Sequence, residues 1–214
     1  MTFAVLGLGS NKSWGGHEPL ELLAFACSRL KNFFVSNFSV SCVYLSKAMY
    51  VENQSDFHNM CVSGFTDFSA AELLQKIHET EAALGRDRKK EIRNGPRSID
   101  IDIELYGNER IDFYDSDDNM KNLQIPHPRL HERTFVLLPL LDILPEDSDI
   151  LDKVQVLEWL SEISEKNGCE KCGIVKKLVD SADFKAIVKK TGENDGRLAG
   201  SGSFGSADLG FGKA

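Results

Sequence analysis

Asp100 and Asp102 stand at alternate positions in the segment Ser98 to Tyr106, SIDIDIELY. In an extended chain such residues project to one face about 6.8 Å apart, so both carboxylates point one way. Ile99, Ile101, Ile103 and Leu105 would then take the opposite, core-facing side. A carboxylate pair on a rigid element suits Mg²⁺, which takes one or two protein oxygens and completes its octahedron with water and phosphate. A solvated strand face would carry the same letters. Directly before it, residues 86–97 read RDRKKEIRNGPR, six cations against two anions, a net +4 in a chain whose overall charge is −8. Charge concentrated there suits a polyphosphate shared between magnesium and arginine forks, although most charge runs are solvated loops. Gly95 and Pro96 punctuate the run, which reads as a lid anchored where the strand begins.

Other residues carry weaker signals. Phe57 and Asn59 alternate onto one face of FHNMCVSGF, offering a flat ring and an amide to a planar heterocycle, or else an ordinary strand contact. His127, between two prolines and near Arg129 and Arg133, could donate to phosphate or satisfy a loop carbonyl. The turn GLGSN, Gly7 to Asn11, has neither Walker A spacing nor the third glycine of G-x-G-x-x-G. Cys169 and Cys172 make half of a zinc site with no second half, and read as structural or incidental.

These residues need elements to position them. FAVLGLG (residues 3–9) reads as a strand buried on both faces. Leu20, Leu23, Cys27, Leu30 and Phe34 at steps of three and four predict a helix to about Phe34. FSVSCVYLS (38–46) and FHNMCVSGF (57–65) read as neighbouring antiparallel strands. Ser69 with Glu72 forms a capping box that opens a second helix, and Gly85 is placed to stop it. With the Asp100 strand the order is βαββαβ, the ferredoxin-like α+β layout, an antiparallel sheet with both helices on one side. Gly107 and Asn108 suggest a hairpin tip leading to an added edge strand at Glu109–Phe113, followed by the acidic loop DSDDN. The apolar, proline-punctuated stretch from Leu123 should lie against the sheet, with a last helix from Asp152 to about Lys166.

The composition, 42% hydrophobic and 27% charged over 214 residues, is that of a globular chain and excludes wholesale disorder, collagen and coiled coil. We expect one domain over residues 1–180 and a flexible Gly/Ser-rich tail over 192–214. The acidic balance argues against nucleic acid and anionic membrane as partners. With no leader pattern, no long apolar window and an odd five cysteines, the expectation is a soluble cytoplasmic protein with reduced thiols. From the residues alone, a ferredoxin-like RNA-binding module and a two-metal nucleotidyltransferase remain as rivals.

Together, GLGSN, FHN, the helix ending in GRDRK, GPRSIDIDI, IPHPR and ERTFVLLPL resemble the 6-hydroxymethyl-7,8-dihydropterin pyrophosphokinases of folate biosynthesis, in order over about residues 3–145. The resemblance implies diphosphoryl transfer from ATP to the pterin hydroxymethyl group with release of AMP. It implies that Asp100 and Asp102 hold two Mg²⁺ ions. Arg86 and Arg97 would act as lid arginines assisted by Arg88 and Arg93, and His127 and Arg133 would bind nucleotide phosphates. His78, Glu81 and Ile103 would occupy nucleotide-contacting positions. The pterin would lie between Phe57 and Phe135, read by Asn59 and backbone near Ser46, with Asn11 supporting the pocket. ATP and the pterin would be the only partners, and the chain a monomer. Three departures from the family pattern stand out: a lid one residue longer than in some relatives, Lys47 where proline is frequent, and Glu104 at a usually apolar position. Glu104 would add a third acid to the Asp100–Asp102 face, tuning metal binding or facing solvent.

Overall fold

Two strands that bury nearly every residue form the middle of the sheet, as their continuous apolar runs require. They are β1 (Thr2–Ser10) and β4 (Phe57–Thr66), antiparallel from Thr2–Thr66 to Ser10–His58. β5 (Asp100–Tyr106) flanks β1, while β2 (Ser36–Val40) and β3 (Val43–Ser46) flank β4. Helices α1 (Pro19–Leu30) and α2 (Ala70–Ala83) provide the crossovers, so the expected βαββαβ order is present in a sheet whose pairs are all antiparallel. The computed structural model describes residues 1–48, 53–88, 90–92, 94–118, 121–145, 148–171 and 176–194.

Several local expectations are corrected. The first helix ends at Leu30, and Lys31–Phe33 form a 3₁₀ turn. The strand expected over 38–46 breaks at Ser41–Cys42. There the Ser41 hydroxyl accepts from the Cys61 N–H at 2.9 Å, and the Cys42 N–H donates to the Asp142 carboxylate at 2.9 Å. Beyond Gly107 the chain does not extend the sheet. β6 (Ile111–Phe113) pairs with β7 (Leu123–Ile125) in a separate ribbon. The acidic loop joins them, with Asp115 accepting backbone N–H groups of Asp117 and Asp118.

α2 opens with the Ser69–Glu72 capping box. It closes before Gly85, whose φ of +85° favours glycine and over which the Trp14 indole packs where a Cβ would stand. The base of the arginine-rich segment is therefore clamped by the loop after β1.

One face of the sheet, Ala4, Leu6, Leu8, Met60 and Val62, is sealed by α1 and α2. Two further elements that the sequence reading missed adjoin this face, one widening the sheet and one covering it. β8 (Lys176–Val179) pairs with β3, and α5 (Ser181–Asn194) packs along α1 with Phe184 fully buried. The packed structure thus continues past residue 180, and residues 195–214 of the expected tail lie outside the described residues, as does Cys172.

The opposite face packs Phe3, Val5, Cys61 and Leu105 beneath α3 (Thr134–Ile143) and α4 (Lys153–Lys171). The proline-rich stretch does lie against the sheet, and Pro139 sits inside α3 rather than ending it. Leu105 is on this face, not with Ile99, Ile101 and Ile103, because the β1–β5 register shifts between Val5 and Leu6. Leu6 pairs with Ile103 and Val5 with Leu105, leaving Glu104 as the extra residue of a bulge. No described helix is long and apolar enough to cross a membrane.

Candidate active site

α3 and α4 cover only the Phe3–Val5 half of their face. Over the other half β1 carries glycine instead of large side chains, and a cavity opens above it. Its floor and walls include Gly7, Gly9, Ser46, Phe57, Asn59, Asp100, Asp102, Glu104, Arg97, Arg133 and Phe135. A second cleft lies on the other side of Asp102, lined by His78, Arg88, Ile101, Ile103, Phe113, Gln124 and His127. Asp102 is common to both.

The aromatic slot is built as the sequence suggests, with one change. The Asn59 amide nitrogen donates to Ser46 Oγ at 2.9 Å and to the Phe57 carbonyl at 3.1 Å, while its oxygen lies against Gly9. The amide donor therefore orders the protein and leaves the acceptor at the cavity. Arg133 sits over Phe135 at 5.8 Å and Arg97 over Phe57 at 6.0 Å, so each ring carries a cation at its edge of the slot. Lys47, at the rim, reaches Asp56 at 3.6 Å.

Asn11 lies beneath the cavity rim and ties three loops together. Its oxygen accepts the Arg97 N–H at 2.9 Å, and its nitrogen donates to Gln54 Oε1 at 3.1 Å and to the Ser55 carbonyl at 3.0 Å. Gln54 in turn donates to the Asn94 carbonyl at 3.1 Å. Sequence reasoning missed Gln54 and Asn94, because only the fold brings these loops within reach.

Asp100 is caged by cations. Arg86 donates to its Oδ1 and Arg97 to its Oδ2, the latter at 2.5 Å. Burial opposes ionisation, but Arg86 and then Arg97 outweigh it and hold the carboxyl down at about 2. Behind them stands Glu81, 1% exposed, which was expected among the nucleotide contacts. One of its oxygens takes Arg86 and the Ile101 N–H, at 2.6 and 2.8 Å, and the other takes Arg88 at 2.6 Å. It orients the two arginines from behind and does not line either cleft. Arg93 lies outside the described residues.

The surroundings of Asp102 differ. Its nearest cation is Arg133, at 3.6 Å, and burial together with the charge of Asp100 pushes it up to about 6. Glu104 is 1% exposed and burial, with Asp102 beside it, pushes its carboxyl up to about 8. Of the two alternatives expected for it, facing solvent is overturned. His78 and His127 are both lowered to about 4, by burial first and then by the neighbouring arginines, so each is neutral at pH 7. His127 Nδ1 accepts the Arg129 N–H at 3.1 Å, and its backbone N–H donates to the Glu104 carbonyl at 3.0 Å, fixing the loop to β5.

The donor set fits a divalent cation. Asp102 is a carboxylate with raised proton affinity, open to both clefts and short of positive charge. Asp100 can share a cation only in competition with the arginines that hold its oxygens.

The sequence model of one family, 7,8-dihydro-6-hydroxymethylpterin-pyrophosphokinase (HPPK), matches residues 5–145. The chain belongs to the HPPK family. A 2-amino-4-hydroxy-6-hydroxymethyldihydropteridine pyrophosphokinase of Aquifex aeolicus is 39% identical over 145 residues, covering 68% of this chain and 82% of the relative. The protein of the same name from Bacillus subtilis is 40% identical over 140 residues, covering 65% and 77%. Among solved structures, Plasmodium falciparum HPPK-DHPS with pteroate superposes with a TM-score of 0.55 at 17% identity, over 79% of this chain and 44% of that one. At that identity the likeness shows the fold. It covers more of the chain than the 5–145 family match does.

Proposed function

We propose that this HPPK-family chain transfers the terminal diphosphate of ATP to the hydroxymethyl group of 6-hydroxymethyl-7,8-dihydropterin, releasing AMP, in folate biosynthesis. The observation that carries the reading is that two clefts of opposite character meet at Asp102. One is a slot between aromatic rings with an amide acceptor, suited to a flat heterocycle. The other is flanked by Arg88, neutral histidines and the β6–β7 ribbon, suited to a nucleotide.

Phosphoryl chemistry asks the protein mainly for positioning and charge neutralisation. Phe57 and Phe135 hold the pterin ring and Asn59 Oδ1 accepts from its edge, so that the hydroxymethyl group points toward Asp102. Arg88, His127 and Arg133 hold the phosphates of ATP, with His78 and Ile103 lining the wall of the nucleotide cleft. The hydroxymethyl oxygen then attacks the β-phosphorus, the bond to the AMP oxygen breaks, and the hydroxyl proton is released. Arg97, in the cavity wall, neutralises charge on the transferring group, and Arg86, which lines neither cleft, adds its charge from behind Asp100. Two Mg²⁺ ions held by Asp100 and Asp102 would supply charge neutralisation and an acidified hydroxyl. Both clefts are built by one chain, which supports action as a monomer.

The test is product analysis with ATP, Mg²⁺ and hydroxymethyldihydropterin. AMP and the pterin diphosphate are expected, and D102A should lower turnover by about 10³-fold or more. ADP as the sole nucleotide product would overturn the reading.

A further inference from the structure

Glu104 has no place in the mechanism above, yet it is a buried acid in the floor of the site. It is 1% exposed, it lines the first cavity, and its Oε2 has no hydrogen-bond partner. A buried polar oxygen left unpaired costs roughly 1–3 kcal/mol, more if charged, so a fold that keeps one has a use for it or meets it with a ligand.

The position of the carboxyl follows from the bulge and from a glycine. The register shift inserts Glu104 between Ile103 and Leu105, and Gly7 is the β1 residue paired with Asp102. A Cβ on Gly7 would stand 2.7 Å from Glu104 Oε1, so the glutamate folds back over Gly7 into the space that any other side chain would take. In-register neighbours on one face of an antiparallel pair have Cβ atoms about 4.5–5.5 Å apart. The Glu104 carboxyl therefore lies over Gly7 beside the Asp102 side chain, where a water bound to a cation on Asp102 can stand between them. Among the described residues no group of three or more His, Cys, Asp or Glu side chains could hold an ion, so water would complete the shell of a cation on Asp102.

We propose that Glu104 is an outer-sphere carboxylate of the cation site: it accepts hydrogen bonds from water bound to the cation on Asp102 and thereby sets the affinity and selectivity of that site. Mg²⁺ keeps several waters when protein-bound, and each needs an acceptor. Groups that hold such outer contacts typically change metal affinity 10–100-fold when removed. Gly7 is the residue that makes room for this one. The inference rests on the proposed cation at Asp102, and the experiment separates the two.

Mn²⁺ binding to the full chain is measured by the loss of its free paramagnetic resonance signal, with and without a non-hydrolysable ATP analogue. Mg²⁺ and Ca²⁺ are used as competitors, and binding of the pterin alone is followed by calorimetry. E104L is expected to weaken Mn²⁺ binding about tenfold or more and to narrow its preference over Ca²⁺, while binding pterin alone as the wild type does. E104Q keeps an acceptor without the charge and should lose about threefold, which also serves if E104L does not fold. Unchanged Mn²⁺ affinity in the variant that folds, with D102A abolishing it, would overturn the role of Glu104 only. So would loss of pterin affinity with intact Mn²⁺ binding, which would make Glu104 a substrate contact. A wild-type chain that binds no Mn²⁺ under either condition would overturn the cation site itself, and this inference with it.

Discussion

Asp100 and Asp102 occupy one strand, one face and one cavity, two residues apart, and their surroundings are opposite. Asp100 has an arginine on each oxygen and a third cation behind them, and its carboxyl is held at about 2. Asp102 has Arg133 at 3.6 Å and two acids for neighbours, and its carboxyl rises to about 6. The difference teaches that a D-x-D pair need not be two equal ligands. The Asp100 end is a carboxylate that aims two arginines, and the Asp102 end is a carboxylate short of positive charge.

The comparison can be strained hardest at the arginines. Arg86 is 7% exposed and bridges Glu81 and Asp100, whereas Arg97, 17% exposed, touches Asp100 from the cavity side. If both aim at the transferring group, R86A and R97A should each lower turnover about 10²-fold. Only R86A should also cost about 3 kcal/mol in chemical denaturation, because it strips a buried partner from Glu81. Equal stability losses would show that the cage is not arranged as described.

A smaller effect sharpens the other end. With no cation bound and its native value at about 8 against 4.5 for the free side chain, Glu104 holds its proton in the fold and loses it when unfolded over the intervening pH range. The unfolded state then binds fewer protons, so this group's contribution to stability falls as pH rises from about 5 to 8. In chelator-treated protein, E104Q should gain in melting temperature relative to wild type across that range, and a constant difference would contradict the burial. The smallest effect has the reverse sign. His78 is lowered to about 4 from 6.5, so protonation favours the unfolded chain, and H78Q should gain relative to wild type as pH falls from 7 to 5.

What the sequence could say follows from the range of the interactions involved. The alternation of Asp100, Ile101 and Asp102, the Ser69–Glu72 cap and the stop at Gly85 are local, and local rules read them correctly. The side on which Leu105 lies depends on a slipped register with β1, nearly a hundred residues away in the chain. Glu104 stays on the Asp100–Asp102 face, as alternation has it, but Gly7 opposite leaves room for it to fold down against the sheet, against the ordinary expectation that a lone glutamate on a strand faces water. Glu81 was placed among the nucleotide contacts by the family resemblance, and its partners Arg86, Arg88 and the Ile101 N–H converge only after α2 docks on β5. β8 and α5 escaped because KKLV is short and lysine-rich and, among the described side chains of α5, Phe184 is the one fully buried anchor.

That overlooked strand bears on how the protein behaves at high concentration. Without it, β3 would present a row of bare amide and carbonyl groups to any passing chain, an invitation to open-ended stacking. With it, the outermost rim of the sheet carries Lys176 and Lys177, and like-charged rims repel. The late segment of the chain so protects the molecule from polymerising through its own sheet.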